Sequence, residues 1–431
     1  MRTIKNYVRA ALPILLGCLL FVACSDDDIA EKGVKEGLPA SLTFKMVVPD
    51  LNDAVVTRAG VEQETALNQL MFLFYKKSDT SKPAFAKVID QLGSWRIGSD
   101  GNDNSNRLYT VTISPGETDL NDNELMSGEY YLYALANWGN GFCSYDAEGY
   151  ASKSLDELKS AILARESSAN VLDIINNTPM TGIYGRDDGS IEIYEGENSF
   201  GKTDETRVHL RRAVAKVIFN ISTVDGITFT PERYSIYHYS QSSTLMERSG
   251  WGGDQGTKPG NLSYEGNNSF SDFEDLAFSD GTPNSFEFYM PENVQRAKDS
   301  NFTDVKMREK RESETNEKFK YAPEKSTYIV IEGHYNGPRN ASSDETAIYD
   351  GDVKYTIQLG DFDATRGGID NFTIRRNVKY TYNVKVKGVN NIITEASAEN
   401  FDAEPQPGAE GDLVRMDDGT IKLDLDAHFE R

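Results

Sequence analysis

Apolar and polar residues alternate along much of this chain with the period of an extended strand. Leu42, Phe44, Met46 and Val48 alternate with Thr43, Lys45 and Val47, so a strand here would present one apolar face. Residues 377–386 alternate over ten positions. Shorter apolar or alternating runs at 70–75, 108–113, 130–136, 208–210, 214–221, 286–290, 327–333 and 353–360 predict further strands. One segment follows the helical period instead. Ser154 and Glu157 form a capping-box signature, and Leu155, Leu158, Ile162 and Leu163 line one face. Residues 179–182 predict a turn. Residues 240–280 predict a long surface excursion, and the polar stretch 296–322 predicts an exposed loop.

Many short strands separated by turn residues predict a mostly all-β protein built of antiparallel sandwiches, with one short helix. With 431 residues the chain is too long for one small core. The expected division is a leader at 1–23, an acidic tether at 24–41, β-sandwich domains at 42–203 and 204–396, and a tail at 397–431. The tail begins as a Pro- and Gly-bearing linker over 397–412. It then places Ile421, Leu423, Leu425, Ala427 and Phe429 on one face, with Lys422, Asp424, Asp426 and His428 on the other. That is a single strand with no neighbour in sequence to pair with.

The formal net charge of -23 excludes binding to nucleic acid through its phosphates. The front of the chain has Arg2 and Lys5, then an apolar run, then small Ala23 before Cys24, which is the anatomy of a secretory leader. Its apolar run is short for a bilayer span. A cysteine at the cut site, followed by Ser25 and three aspartates, resembles the lipobox of bacterial lipoproteins. Cys24 is therefore the expected acylation site, with Phe21 where that pattern usually has Leu. Acyl chains are a sufficient anchor, at about 0.8 kcal/mol per buried CH₂. With Cys18 in the leader and Cys24 acylated, Cys143 is left alone and no intramolecular disulfide is expected. His209, His238, His334 and His428 are scattered without metal-ligand spacing, so no metal site and no cofactor are expected.

Residues 196–203, Gly-Glu-Asn-Ser-Phe-Gly-Lys-Thr, match the P-loop letters. Phosphate binding would require a following helix, whereas the sequel from Asp204 to Leu210 is acidic and then alternates, so a chance match is expected. Residues 100–105 carry the head of a calcium loop but have Ser105 and Val111 where Gly and Glu are needed, so a solvated loop is expected. Trp95, Trp138 and Trp251 could form a glycan platform, although core packing is the plainer reading. No acid/base pair or nucleophile elbow stands out, and an enzyme is not expected.

Several segments together carry a specific likeness. They are Cys24 with its acidic run, the segments 130–137 and 179–182, the Leu-Arg-Arg-Ala-Val-Ala-Lys-Val run at 210–217, and the segments 354–360 and 376–392. In this order they resemble the fimbrillin superfamily of Bacteroidetes fimbriae, over most of residues 42–396. The resemblance implies two transthyretin-like β-sandwich domains and a structural subunit of a cell-surface fimbria. It implies export as a lipoprotein to the outer membrane, and maturation by an arginine-specific protease that removes the first strand. It further implies assembly with other fimbrial subunits by donor-strand exchange. Carried onto this chain, residues 42–48 are the removable strand, and the cut falls between Arg58 and Ala59. Ile421, Leu423, Leu425, Ala427 and Phe429 form the donor face. An anchor or tip adhesin is the alternative within the same assembly, and a surface glycan-binding lipoprotein the alternative outside it.

Overall fold

The computed structural model describes residues 34–49, 67–89, 98–103, 106–138, 146–164, 178–185, 188–240, 242–246, 276–277, 284–295, 304–313, 316–341, 347–362, 368–400, 413–415 and 421–423. Strands dominate, as the alternation predicts.

The N-terminal half is organised by one large sheet. Its strands are β1 (Ala40–Pro49), β2 (Leu70–Lys76), β3 (Phe85–Ile89), β4 (Gly98–Asp103), β5 (Asn106–Ile113) and β6 (Gly128–Ala136). After two short helices, α1 (Ala147–Ala151) and α2 (Leu155–Ser160), come β7 (Ile162–Ala164), β8 (Met180–Tyr184), β9 (Ser190–Ile193), β10 (Gly196–Ser199) and β11 (Val208–Arg212). The order across the sheet is β3-β2-β6-β8-β11-β1-β5-β4, with β10 alongside β1 and β9 alongside β6. β2 explains its own unbroken apolar run. Leu70, Phe72 and Phe74 face a core shared with β1, β5 and β6, while Met71, Leu73 and Tyr75 face a second core with the helices.

The C-terminal half is a sandwich of two four-stranded sheets. One is β16 (Ser285–Pro291), β12 (Val214–Thr223), β21 (Val378–Gly388) and β22 (Asn391–Asn400). The other is β15 (Leu276–Ala277), β13 (Thr228–Tyr237), β19 (Tyr328–Pro338) and β20 (Ile348–Gln358). Alternate residues such as Val217, Phe219, Ile329, Ile331, Tyr380 and Tyr382 fill the space between them. A small hairpin, β17 (Arg311–Ser313) with β18 (Asn316–Phe319), lies beside this sandwich in sequence.

The structure departs from the sequence expectations at six points. Two helices form among the described residues rather than one. The capping box on Ser154 and Glu157 is present, but α2 ends at Ser160. Ile162 and Leu163 belong to β7, which pairs with β14 (Ser242–Thr244) from the C-terminal half; β-branched Ile162 suits that extended conformation. Residues 180–182 open strand β8 rather than a turn, because Gly182 lets the backbone of β11 approach: a Cβ there would collide with the His209 carbonyl oxygen. The stretch 296–322 is not uniformly exposed, since Arg308, Phe319, Tyr321 and Ala322 are buried. Finally, residues 397–400 of the expected linker continue β22, and the tail strand does have a neighbour: β23 (Leu413–Arg415) pairs antiparallel with β24 (Ile421–Leu423).

Candidate functional site

The expected removable strand, β1, lies inside the large sheet. On one side it pairs antiparallel with β5 over eight positions, from Leu42 opposite Ile113 to Pro49 opposite Asn106. On the other side its first half runs parallel to β10 (Ala40–Thr43 opposite Gly196–Ser199), and its second half runs parallel to β11 (Met46 and Val47 opposite Val208 and His209). Its alternation is used in full. Ala40, Leu42, Phe44, Met46 and Val48 are all buried in the N-terminal core, with Phe44 meeting Phe72 edge to face at 5.0 Å.

A clamp fixes the entry to the strand. The Ser127 hydroxyl donates to the Lys35 carbonyl at 2.6 Å and accepts from the Leu38 N–H at 3.0 Å. The Ala40 N–H donates to the Leu125 carbonyl at 3.0 Å. On the flank, the buried Asn198 amide donates to the Ser41 carbonyl at 3.1 Å and to the Tyr194 carbonyl at 2.8 Å, while its oxygen accepts from the Tyr194 N–H.

The segment with P-loop letters is part of this flank. Gly196–Ser199 is strand β10, and a single turn of 3-10 helix (Asp204–Thr206) follows instead of a phosphate-binding helix. Gly201 sits at φ +103°, and a Cβ on it would lie 2.5 Å from the Lys45 Cβ, so the chain crosses closely over β1 here. The Thr206 hydroxyl accepts from the Gly201 N–H at 3.1 Å, and Arg207 Nε donates to the Gly201 carbonyl at 3.2 Å. The role of Asn198 and Gly201 against β1 escaped sequence reasoning. The Gly-rich letters marked the place, but the partner lies some 155 residues earlier.

Removing β1 would expose two sheet edges and an apolar trough together. Leu42, Phe44, Met46 and Val48 at about 2 kcal/mol each contribute about 8 kcal/mol as an upper estimate. That is comparable to the whole stability of a typical domain, so the sheet requires a strand in this position.

The other expected site residues are distributed as follows. Cys24, Arg58, Ala59, Leu425, Ala427 and Phe429 lie outside the described residues, as do Cys143, Trp95 and Trp251. Ile421 and Leu423 lie in β24, in a hairpin separate from the large sheet. Trp138 is buried against the helices and offers no open platform. Of the loop expected at 100–105, residues 100–103 belong to strand β4, which pairs with β5 and completes the sheet edge, while 104 and 105 lie outside the described residues. Among the described residues, no group of three or more His, Cys, Asp or Glu side chains is placed to hold a metal ion. No helix among them is long and apolar enough to cross a membrane.

Three comparisons complete the description. A family model described as a domain of unknown function (DUF4906) matches residues 288–384. The curated proteins give no match. Among solved structures the chain is similar to the tip fimbrial protein Mfa3 from Porphyromonas gingivalis, at 15% identity and a TM-score of 0.46, covering 84% of this chain and 99% of that one. It is similar to a fimbrilin (FimA) from Porphyromonas gingivalis at 13% identity and a TM-score of 0.47, covering 84% and 98%. A fimbrial assembly protein from Parabacteroides distasonis matches at 12% identity and a TM-score of 0.38, covering 90% and 99%.

Proposed function

We propose that this chain is a structural subunit of a cell-surface fimbria. In this reading it is exported as a lipoprotein acylated on Cys24 and held at the outer membrane. An arginine-specific protease cuts between Arg58 and Ala59, and the segment that includes β1 leaves. The C-terminal strand of another subunit then takes its place, with Ile421, Leu423, Leu425, Ala427 and Phe429 entering the trough. The large N-terminal sheet, β11 included, carries the groove. The C-terminal unit, 204–396, carries the tail.

One observation supports this above the others. β1 is the first strand among the described residues, yet it is bordered on both sides and supplies five successive alternate residues to the core. A terminal strand in that position can be replaced without rethreading the rest of the fold. The tail offers the same five-position apolar period. Strand addition supplies main-chain hydrogen bonds along both edges and side chains for the trough. Keeping β1 attached until export would protect both edges from indiscriminate pairing.

The test is the size of the assembled protein in gels run without boiling. The expected result is a ladder that collapses on boiling and is lost in Leu423→Asp/Leu425→Asp, because charges cannot enter the trough. An undiminished ladder in that variant would contradict strand exchange through this tail.

A further inference from the structure

One sheet of the C-terminal sandwich ends on β20, which pairs with β19 on its inner side from Ile348 to Gln358. The Leu359 N–H donates to the Thr327 carbonyl at 2.9 Å, so these two residues form a hydrogen-bonded pair. Antiparallel pairs alternate, so odd-numbered residues of β20 aim their main-chain groups at β19 and even-numbered ones aim theirs outward. Two contacts agree. The Gln358 N–H donates outward to Glu309 at 3.1 Å, and the Asp352 carbonyl accepts from the Tyr349 hydroxyl at 3.2 Å. Asp350, Asp352, Lys354 and Thr356 therefore present a row of main-chain donors and acceptors, with no strand beside them among the described residues.

The outer edge of β3 is treated differently. There the Ala86 N–H donates to the Asp119 carboxylate at 2.8 Å and the Ala86 carbonyl accepts from the Leu120 N–H at 3.2 Å, so a loop seals the edge. Along 350–356, among the described residues, the edge receives only the Tyr349 hydroxyl, and a carbonyl keeps a second lone pair for another donor. The side chains of this edge carry both signs of charge. Asp350, Asp352 and Lys354 are exposed on the outer face, while Val353, Tyr355 and Ile357 are buried in the core. Asp350 and Asp352 lie against His334 of β19, and Lys354 lies against Glu332.

We propose that β20 docks antiparallel against β20 of a second copy of this chain, joining two four-stranded sheets into one across a two-fold axis. The occupant follows from the spacing of the charges. With the axis at Val353, each Asp352 stands opposite the other copy's Lys354, and each Asp350 opposite the other copy's Thr356. All four residues aim their main-chain groups outward, so every one of these pairs exchanges hydrogen bonds. Opposite charges facing each other across strands are favourable, and like charges are not. Sliding one copy by two residues either way places Asp352 opposite Asp352 or Lys354 opposite Lys354. The edge is thus complementary to itself in a single register. The net charge of -23 on each copy acts against association, but it is screened beyond about 8 Å at physiological salt. The contact joins subunits side by side and does not depend on the strand-exchange reading, because β1 stays in place.

The test is sedimentation equilibrium of the full, uncleaved chain carrying Cys24→Ser, so that neither an acyl group nor strand exchange drives association. This parent is expected to show a monomer–dimer equilibrium. Asp352→Lys alone, or Lys354→Asp alone, sets like charges together at both symmetric pairs and should weaken the dimer about tenfold or more. An equimolar mixture of the two variants restores both opposite-charge pairs in a mixed dimer and should recover the parent's affinity. Thr356→Pro removes one outward N–H without touching the β19 ladder and should weaken the dimer as well. A parent that stays monomeric would overturn the proposal and leave the edge to a different partner. Charge variants that dimerise like the parent, or a mixture that does not recover, would overturn it too. Should a charge variant lose its fold by circular dichroism, Thr356→Pro decides, and a dimer as tight as the parent's would overturn the proposal.

Discussion

Glu309 accepts a hydrogen bond from the Gln358 backbone N–H at 3.1 Å and lies beside the buried Arg308 guanidinium. Arg308 donates to the carbonyls of Ile369, Asn371 and Leu359 at 2.6, 2.8 and 2.9 Å, between the rings of Phe362 and Phe372. Burial pushes the Glu309 carboxyl up to about 7, against the pull of Arg308. The folded chain therefore holds this proton more tightly than the unfolded chain does. The stability so contributed is present below the ordinary value near 4.5 and is lost as pH rises through about 7. Thermal melts of Glu309→Gln should match the parent at low pH and exceed it above pH 7, by up to about 3 kcal/mol. The same difference at every pH would contradict this account. None of this was legible in the sequence. The stretch reads as polar, and the carbonyls that receive Arg308 lie more than fifty residues further along the chain.

At the scale of elements, local signals were legible and pairings were not. The alternation of β1, the long run of β21 and the capping box of α2 were all evident, because each depends on neighbours in sequence. The end of α2 was not, since Ile162 and Leu163 join a strand from the other half of the chain. Nor was the flank of β1, where a phosphate-loop spelling turned out to be strand β10 and a tight crossing at Gly201. That crossing yields a prediction. Gly201→Ala combines a φ unfavourable to alanine with a clash against Lys45, at a cost of about 1–3 kcal/mol. Hydrogen exchange of amides 42–48 should accelerate, while the sheets of the C-terminal half stay protected. Unchanged protection of β1 would show that the crossing does not help retain the strand.

At the scale of the molecule, the two halves are joined by more than the β11–β12 continuity. Arg376, from the C-terminal half, donates through Nε to Glu292 at 3.0 Å and through a terminal nitrogen to the Leu245 carbonyl at 2.9 Å. A second terminal nitrogen contacts Glu292 at 2.6 Å and the Thr244 carbonyl. Thr244 in turn pairs with Ile162 of the N-terminal half, and the Thr181 hydroxyl donates to the Leu245 carbonyl at 3.3 Å. Arg376→Ala leaves Glu292 buried without this partner and frees the bridge between halves. A loss of about 3–5 kcal/mol is expected. In calorimetry it should appear as a lower melting temperature with the transition splitting in two. An unaltered single transition would mean that the junction does not depend on this pair.

The measurement that tests the central claim most directly is the N-terminal identity and intact mass of the protein sheared from cells. The account predicts a chain that begins at Ala59 and has lost β1. A chain that begins at an acylated Cys24, with no shorter species present, would contradict it.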